Sequence, residues 1–262
     1  MPVPDPIAFT IFGLDVRWYG ILIAVGIVVA TLIIYKRAPF HDLPREKVLD
    51  FGVICIPVGI IGARLYYVFF QWDHYKNDPI SIFDLRSGGL AIHGGLILSL
   101  LMVFILCKAW KYKPLNILDL AMPGIVMAQA IGRWGNYFNS EAHGGPTDLP
   151  WAVTISGQTY HPTFLYESIW CLILFFILIY VDDHRRFYGQ TFLLYGILYS
   201  IERFFVEALR TDSLMIGPFR QAQVLSLTVI VLFTIVYVIL HIKSKNSRRP
   251  RQKKRKKAGN SR

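Results

Sequence analysis

Seven stretches of this chain each approach the roughly 20 apolar residues that an α-helix needs to cross about 30 Å of hydrocarbon. They cover approximately residues 19–35, 48–70, 89–108, 115–131, 163–181, 190–209 and 220–241. No soluble fold buries so many such runs in 262 residues, and the composition agrees: 54% hydrophobic, 17% charged, mean hydropathy +0.42. The expected class is an all-α polytopic membrane protein with about seven transmembrane helices. The fourth run is the weakest, because Pro123 and Gly124 interrupt it. Such breaks are tolerated where neighbouring helices satisfy the freed backbone groups.

Seven crossings put the termini on opposite sides, and lysine and arginine choose which. One set of connections holds Lys36, Arg37, Arg45 and Lys47, then Lys108, Lys111 and Lys113, then Arg185 and Arg186. The other holds Arg17, then Lys76 and Arg86, then Arg133, then Arg210 and Arg220. The first set ends in a tail with eleven lysines and arginines and no acid, which equals the whole net charge of +11. Positive-inside logic places that tail in the cytoplasm and Met1 outside. The domain division is then 1–242, a transmembrane catalytic domain, and 243–262, a basic tail expected to be disordered and to lie against anionic headgroups. Since the rest of the chain balances to zero, the basic charge gives no argument for a nucleic-acid partner. Met1-Pro2-Val3-Pro4-Asp5-Pro6 lacks a cationic n-region, so no cleavable signal peptide is expected.

Cys55, Cys107 and Cys171 fall in three different runs without a Cys-x-x-Cys pair, which suits packing and neither a disulfide framework nor a zinc site. The chain has no phosphate-binding glycine loop, no His-Glu-x-x-His and no Gly-x-Ser-x-Gly. Nucleotide-driven pumps, metalloproteases and serine hydrolases are disfavoured. No metal and no soluble cofactor is implied.

With the orientation set, the polar groups inside the apolar runs gather towards the outer face. Tyr19 opens the first run, Arg64 lies about six residues below the outer end of the second, and His93 sits between Gly88-Gly89 and Gly94-Gly95 at the start of the third. The fourth ends in Gly132 to Thr147, a segment that strings together Arg133, Asn136, Asn139, Glu141, His143 and Gly144. An ordinary helix end broken by glycines and dressed with interfacial Trp134 and Tyr137 is the bland account. In the sixth run, Tyr199, Arg203, Glu207 and Arg210 are spaced by four, four and three residues. That spacing puts them within a stripe about 80° wide on one helical face. Charge at bilayer depth costs roughly 2.5–3.5 kcal/mol per residue, so the stripe faces protein or water.

An Arg203–Glu207 ion pair locking helices together is the structural reading of the stripe. It leaves a surplus of cations, Arg64, Arg133, Arg203 and Arg210 against Glu141, Glu202 and Glu207. Surplus arginine in a partly dry cavity calls for an anion, and its planar fork suits a phospholipid phosphate. A lone histidine in a helix is usually a packing residue. The glycine pairs around His93, however, permit close approach of a ligand, and an imidazole can accept a thiol or hydroxyl proton. His161 reads as the polar residue before a helix-opening proline, and Tyr166 and Glu167 are placed to brace a site from behind.

Two other classes also put arginines in a membrane. A phospholipid transporter or scramblase with an outer-leaflet headgroup site commonly shows internal repeats and midplane polar groups. No convincing repeat is seen here, and the polar groups sit high. A membrane scaffold leaves His93 and the arginines without a task.

Over essentially its whole length the chain resembles the bacterial prolipoprotein diacylglyceryl transferases. The resemblance rests on Arg17-Trp18-Tyr19-Gly20, Gly62-Ala63-Arg64, the segment from Gly88 to Gly95, the segment from Gly132 to Thr147, His161-Pro162-Thr163-Phe164-Leu165-Tyr166-Glu167, and Tyr199 with Arg203, Glu207, Arg210 and Asp212. It implies transfer of the diacylglyceryl group of phosphatidylglycerol to the lipobox cysteine of a preprolipoprotein in the bacterial cell membrane, on the outer-leaflet side. It assigns family roles to Tyr19, His93, Arg133, Asn136, Glu141, Gly144, Tyr199, Arg203 and Glu207. On that chemistry, Arg133 and Arg203 stabilise the departing phosphate and His93 is the candidate base, with Tyr199 kept open. Asn136, Asn139 and Glu141 orient the headgroup or the arginines, and Arg64 and Arg210 join the binding residues. Glu202 departs from the family pattern, which usually has an uncharged residue before the arginine.

Overall fold

The computed structural model describes residues 1–84 and 88–259, with side chains described as far as Asn246. Arg86, counted above with the outer connections, lies outside the described residues, as do residues 260–262. Most of the tail expected at 243–262 therefore falls beyond the described side chains.

Every apolar run is helical. The long helices are α1 (Trp18–Arg37), α2 (Arg45–Phe70), α4 (Ile92–Ala109), α5 (Pro114–Phe138), α6 (Thr163–Asp183), α7 (Gln190–Leu209) and α8 (Gln221–Gly259), with a single turn, α3 (Trp72–Tyr75), after α2. Six of them are long and apolar enough to cross a membrane. The helix not among the six is α7. Its 20 residues reach about 30 Å, but Glu202, Arg203 and Glu207 lower its hydropathy. The connections carry what the apolar pattern did not announce, three antiparallel hairpins: β1 (Ile7–Ile11) with β2 (Leu14–Arg17), β3 (Val153–Ile155) with β4 (Gln158–Tyr160), and β5 (Met215–Ile216) with β6 (Phe219–Arg220).

The chain divides into two compact units, residues Tyr35–Ile117 and residues Met1–Ile34 with Leu118–Arg262. In the first, α2 and α4 pack through small residues. A Cβ added at Gly62 would lie 2.6 Å from the Gly94 carbonyl oxygen, so the two backbones touch as they do where small residues drive helix association in lipid. Ser99 donates to the Cys55 carbonyl at 3.2 Å beside this seam. His41 and Asn116, both buried, bond to each other's backbone and side-chain atoms at the start and end of the unit.

The second unit is built on α5, α6 and α7. Met122, Val126 and Ala130 of α5 pack with Cys171, Leu174 and Leu178 of α6, and Phe192, Tyr195, Leu198 and Tyr199 of α7 close over them. Cys107 and Cys171 are buried free thiols, in keeping with a packing role. Asp119 on α5, fully buried, accepts the Gly189 N–H at 2.6 Å and the Phe192 N–H at 2.9 Å, so a residue about 70 positions away caps α7. At the other end of α5, the Met1 ammonium donates to the Ala152 carbonyl and the Thr154 N–H to the Met1 carbonyl. The Tyr137 hydroxyl donates to the Pro2 carbonyl. The amino terminus is thus fastened to the β3–β4 connection.

Candidate functional site

The strongest concentration of buried charge lies where α5, α6 and α7 meet. Arg133 of α5 places Nε against Glu167 Oε2 of α6 and donates from Nη2 to the Tyr199 hydroxyl of α7 at 2.8 Å. Arg203 of α7 donates from Nη1 to the other Glu167 oxygen, Oε1, at 2.7 Å, and its Nη2 lies 2.7 Å from Glu207 Oε2 one turn along. The Arg133–Glu167 and Arg203–Glu207 approaches are ion pairs without hydrogen-bond alignment at the carboxylate oxygen. Glu167 and Glu207 are 1% and 3% exposed. The sequence reaches this geometry because Tyr199, Arg203 and Glu207 follow helical spacing, while Trp134 Nε1 to Ser168 Oγ at 3.1 Å, and Ser168 Oγ to the Ala130 carbonyl at 2.8 Å, hold α5 on α6.

Two sequence expectations change here. Arg210 leaves the proposed stripe, because α7 ends at Leu209 and Arg210 takes an extended conformation at φ −74°, ψ 145°. Its guanidinium instead grips Asp212 with two bonds of 2.9 and 2.7 Å, and that grip holds the Asp212 carboxyl below its ordinary range. The cation surplus also shrinks. With Glu167 included, Arg133 and Arg203 face two carboxylates that pair with them directly. Glu202 is a third acid nearby, 7% exposed, with no hydrogen-bond partner on either oxygen among the described residues. Each arginine nevertheless keeps donors to offer. Arg133 Nη1 and Arg203 Nε have no partner among the described residues, and both side chains keep about a fifth of their surface accessible, 21% and 20%. Such an edge can bind an anionic oxygen.

The glycine-rich segment forms a second group. The helix runs through Gly132 and Gly135 to Phe138 and does not break at them; the Tyr19 ring packs where a Gly135 side chain would stand. Beyond it, Asn136 and Asn139 both donate to Glu141 Oε1, at 2.9 and 3.4 Å. The turn holding them uses left-handed conformations at Ser140 and Ala142, φ 54° and 57°. Thr163 pins it by donating to the Ala142 carbonyl. Gly144 is buried with its N–H on the His161 carbonyl at 2.9 Å. A Cβ there would meet His161 at 2.7 Å and the Leu209 carbonyl oxygen at 3.0 Å, so Gly144 lets this turn lie on the end of α7.

Arg64 and His93 belong to the other unit. Arg64, 4% exposed, spends all five of its N–H groups on backbone carbonyls, those of Ile82, Gly88, Gly89, Ser81 and Asp84, at 2.7–3.1 Å. It organises the chain that leads into α4. His93 is the second residue of α4, exposed, and has no hydrogen bond among the described residues; its ring lies 6.2 Å from that of Tyr66. The structure thus brings Arg133, Tyr199, Arg203 and Glu207 together, groups Asn136, Asn139 and Glu141, and sets Tyr19 beside Gly135. The sequence reads Glu167 only as a brace, although it joins both arginines. Its place one helical turn after Pro162 was the available signal.

Residues 6–239 match the family described as prolipoprotein diacylglyceryl transferase. A phosphatidylglycerol–prolipoprotein diacylglyceryl transferase of Clostridioides difficile is 49% identical to the chain, covering 93% of it and 98% of the relative. The Finegoldia magna protein of the same description is 48% identical over 92% and 96%. That of Clostridium novyi is 45% identical over 93% and 98%.

Proposed function

This chain belongs to the prolipoprotein diacylglyceryl transferase family, and we propose that it moves the diacylglyceryl group of phosphatidylglycerol onto the lipobox cysteine of preprolipoproteins. The thiol sulfur attacks the glycerol carbon that bears the phosphate ester. A carbon–sulfur bond forms, the carbon–oxygen bond breaks with its electron pair on the phosphate, and glycerol phosphate leaves. An ordinary thiol is only a few per cent thiolate at neutral pH, so a proton acceptor is needed. His93 takes that proton in this reading; Tyr199, hydrogen-bonded to Arg133, is the second candidate.

The observation that carries the reading is the pair of partly accessible arginines with unused N–H edges in an apolar bundle. Charge grows on the phosphate as the ester bond breaks, and preorganised cations aimed at developing charge lower a barrier more than they help ground-state binding. Arg133 and Arg203 fill that role, with Glu207 holding Arg203. Asn136, Asn139 and Glu141 orient the headgroup. Gly144 and Tyr19 shape its seat, and Arg210 supports it through the turn it holds with Asp212.

The enzyme works in the bacterial cell membrane with its amino terminus and site towards the outer leaflet, α7 as a seventh crossing and the basic tail in the cytoplasm. The lysine and arginine distribution supports that orientation, and the fastening of Met1 to the connection after α5 is in keeping with both lying on one side. Incubation of purified protein with labelled phosphatidylglycerol and a lipobox peptide tests the activity. Thioether-linked label on the peptide thiol is expected, and its absence with folded protein would count against the reading.

A further inference from the structure

Glu167 does more than neutralise charge. Its carboxylate is divided between two helices, Oε1 on Arg203 of α7 and Oε2 against Arg133 of α5. Its side chain is 2% exposed while the two arginine side chains are about ten times more accessible. The acid therefore lies on the buried side and the guanidinium groups on the accessible side, each held by one edge and open at another. Without a shared carboxylate, two like charges in a poorly solvated bundle would drift apart.

We propose that Glu167 is a positioning residue for the transfer reaction: it sets the separation and tilt of the two guanidinium groups so that Arg133 Nη1 and Arg203 Nε bind one phosphate together. This rests on the proposed transferase activity. Glu202 supplies the contrast that makes the inference testable. It is buried on α7 beside Arg203 and within electrostatic reach of Glu167, Arg133 and Arg203, yet it bonds to neither arginine. Removing the charge at either position alters the field of the cluster; only Glu167 alters its geometry.

The experiment compares Glu167→Gln, Glu167→Asp and Glu202→Gln in the full-length enzyme, measuring kcat and the KM for phosphatidylglycerol in mixed micelles, with thermal unfolding in the same detergent as a check on folding. Loss of a hydrogen bond to a charged group predicts a fall in kcat of about 10- to 100-fold for Glu167→Gln. Its KM should move by less than about threefold, the signature of an interaction made chiefly in the transition state. Glu202→Gln stays within about threefold in both constants. A coupling test adds Arg133→Lys: if Glu167 acts through Arg133, the double variant is little slower than the worse single one. Should Glu167→Gln fail to fold, Glu167→Asp, with its shorter reach, carries the test and should lower kcat while keeping the charge. Equal effects of Glu167→Gln and Glu202→Gln, or wild-type kcat in a folded Glu167 variant, would overturn the proposal. An inactive wild-type enzyme would overturn the transferase reading instead.

Discussion

Tyr199 on α7 accepts a hydrogen bond from Nη2 of Arg133 on α5 at 2.8 Å. The two residues stand 66 positions apart in the chain, and the bond fixes the tilt of a guanidinium whose Nε is already committed to Glu167. Tyr199 is itself steadied by Tyr195, whose ring stacks on it at 5.6 Å and whose hydroxyl donates to Gln129 on α5.

Tyr199→Phe removes the acceptor and keeps the ring. If Tyr199 only orients Arg133, transfer should slow by about 10-fold, from a hydrogen bond to a charged group worth roughly 1.5 kcal/mol, with an unchanged shape of the pH–rate profile. A loss of several thousandfold would instead make Tyr199 the proton acceptor.

His93→Gln tests the other candidate base. Loss of a general base predicts a rate lowered by about 10² to 10⁴ with phosphatidylglycerol affinity retained. Activity should recover in part as pH rises towards the ordinary thiol range and the peptide cysteine ionises unaided. A variant that loses lipid affinity, with no change in single-turnover rate at saturating lipid, would remove His93 from proton transfer.

The apolar runs were legible because length and hydropathy alone make a membrane helix, and the Tyr199, Arg203, Glu207 spacing was legible because α-helical period is local. What escaped was non-local. Glu167 meets Arg203 across 36 residues and Asp119 meets Phe192 across 73, through packing that no window of sequence contains. The bland account of the segment from Gly132 to Thr147 has its glycines breaking the helix, whereas Tyr19 packs at Gly135 and the helix continues. Arg210 matched the period but lay one residue past the helix end. The first two hairpins turn at Phe12-Gly13 and Ser156-Gly157, pairs of positive-φ residues too short to disturb an apolar profile.

Asp119→Ala leaves the Gly189 and Phe192 N–H groups buried without an acceptor. Orphaned buried donors cost about 1–3 kcal/mol each, so the thermal midpoint in detergent should fall by several degrees. Transfer per folded molecule at low temperature should be largely kept, since Asp119 touches no proposed site residue. An unchanged midpoint would show that α7 does not depend on this cap.

Orientation is open to labelling in a background without Cys55, Cys107 and Cys171. A cysteine placed at Asn77 or Thr147 should react with an impermeant thiol reagent added outside intact cells, and one at Asp183 should not. The reverse pattern would overturn the outer-leaflet placement of the site.

The central claim is that the two arginines act on the phosphate as the ester bond breaks, and single-turnover transfer by Arg133→Ala and Arg203→Ala tests it most directly. With folded protein at saturating phosphatidylglycerol, each should fall by about 10² to 10³, as for loss of one preorganised electrostatic donor, and lysine at either position should restore little because it lacks the fork. A folded Arg133→Ala enzyme that transfers at the wild-type rate would contradict the account.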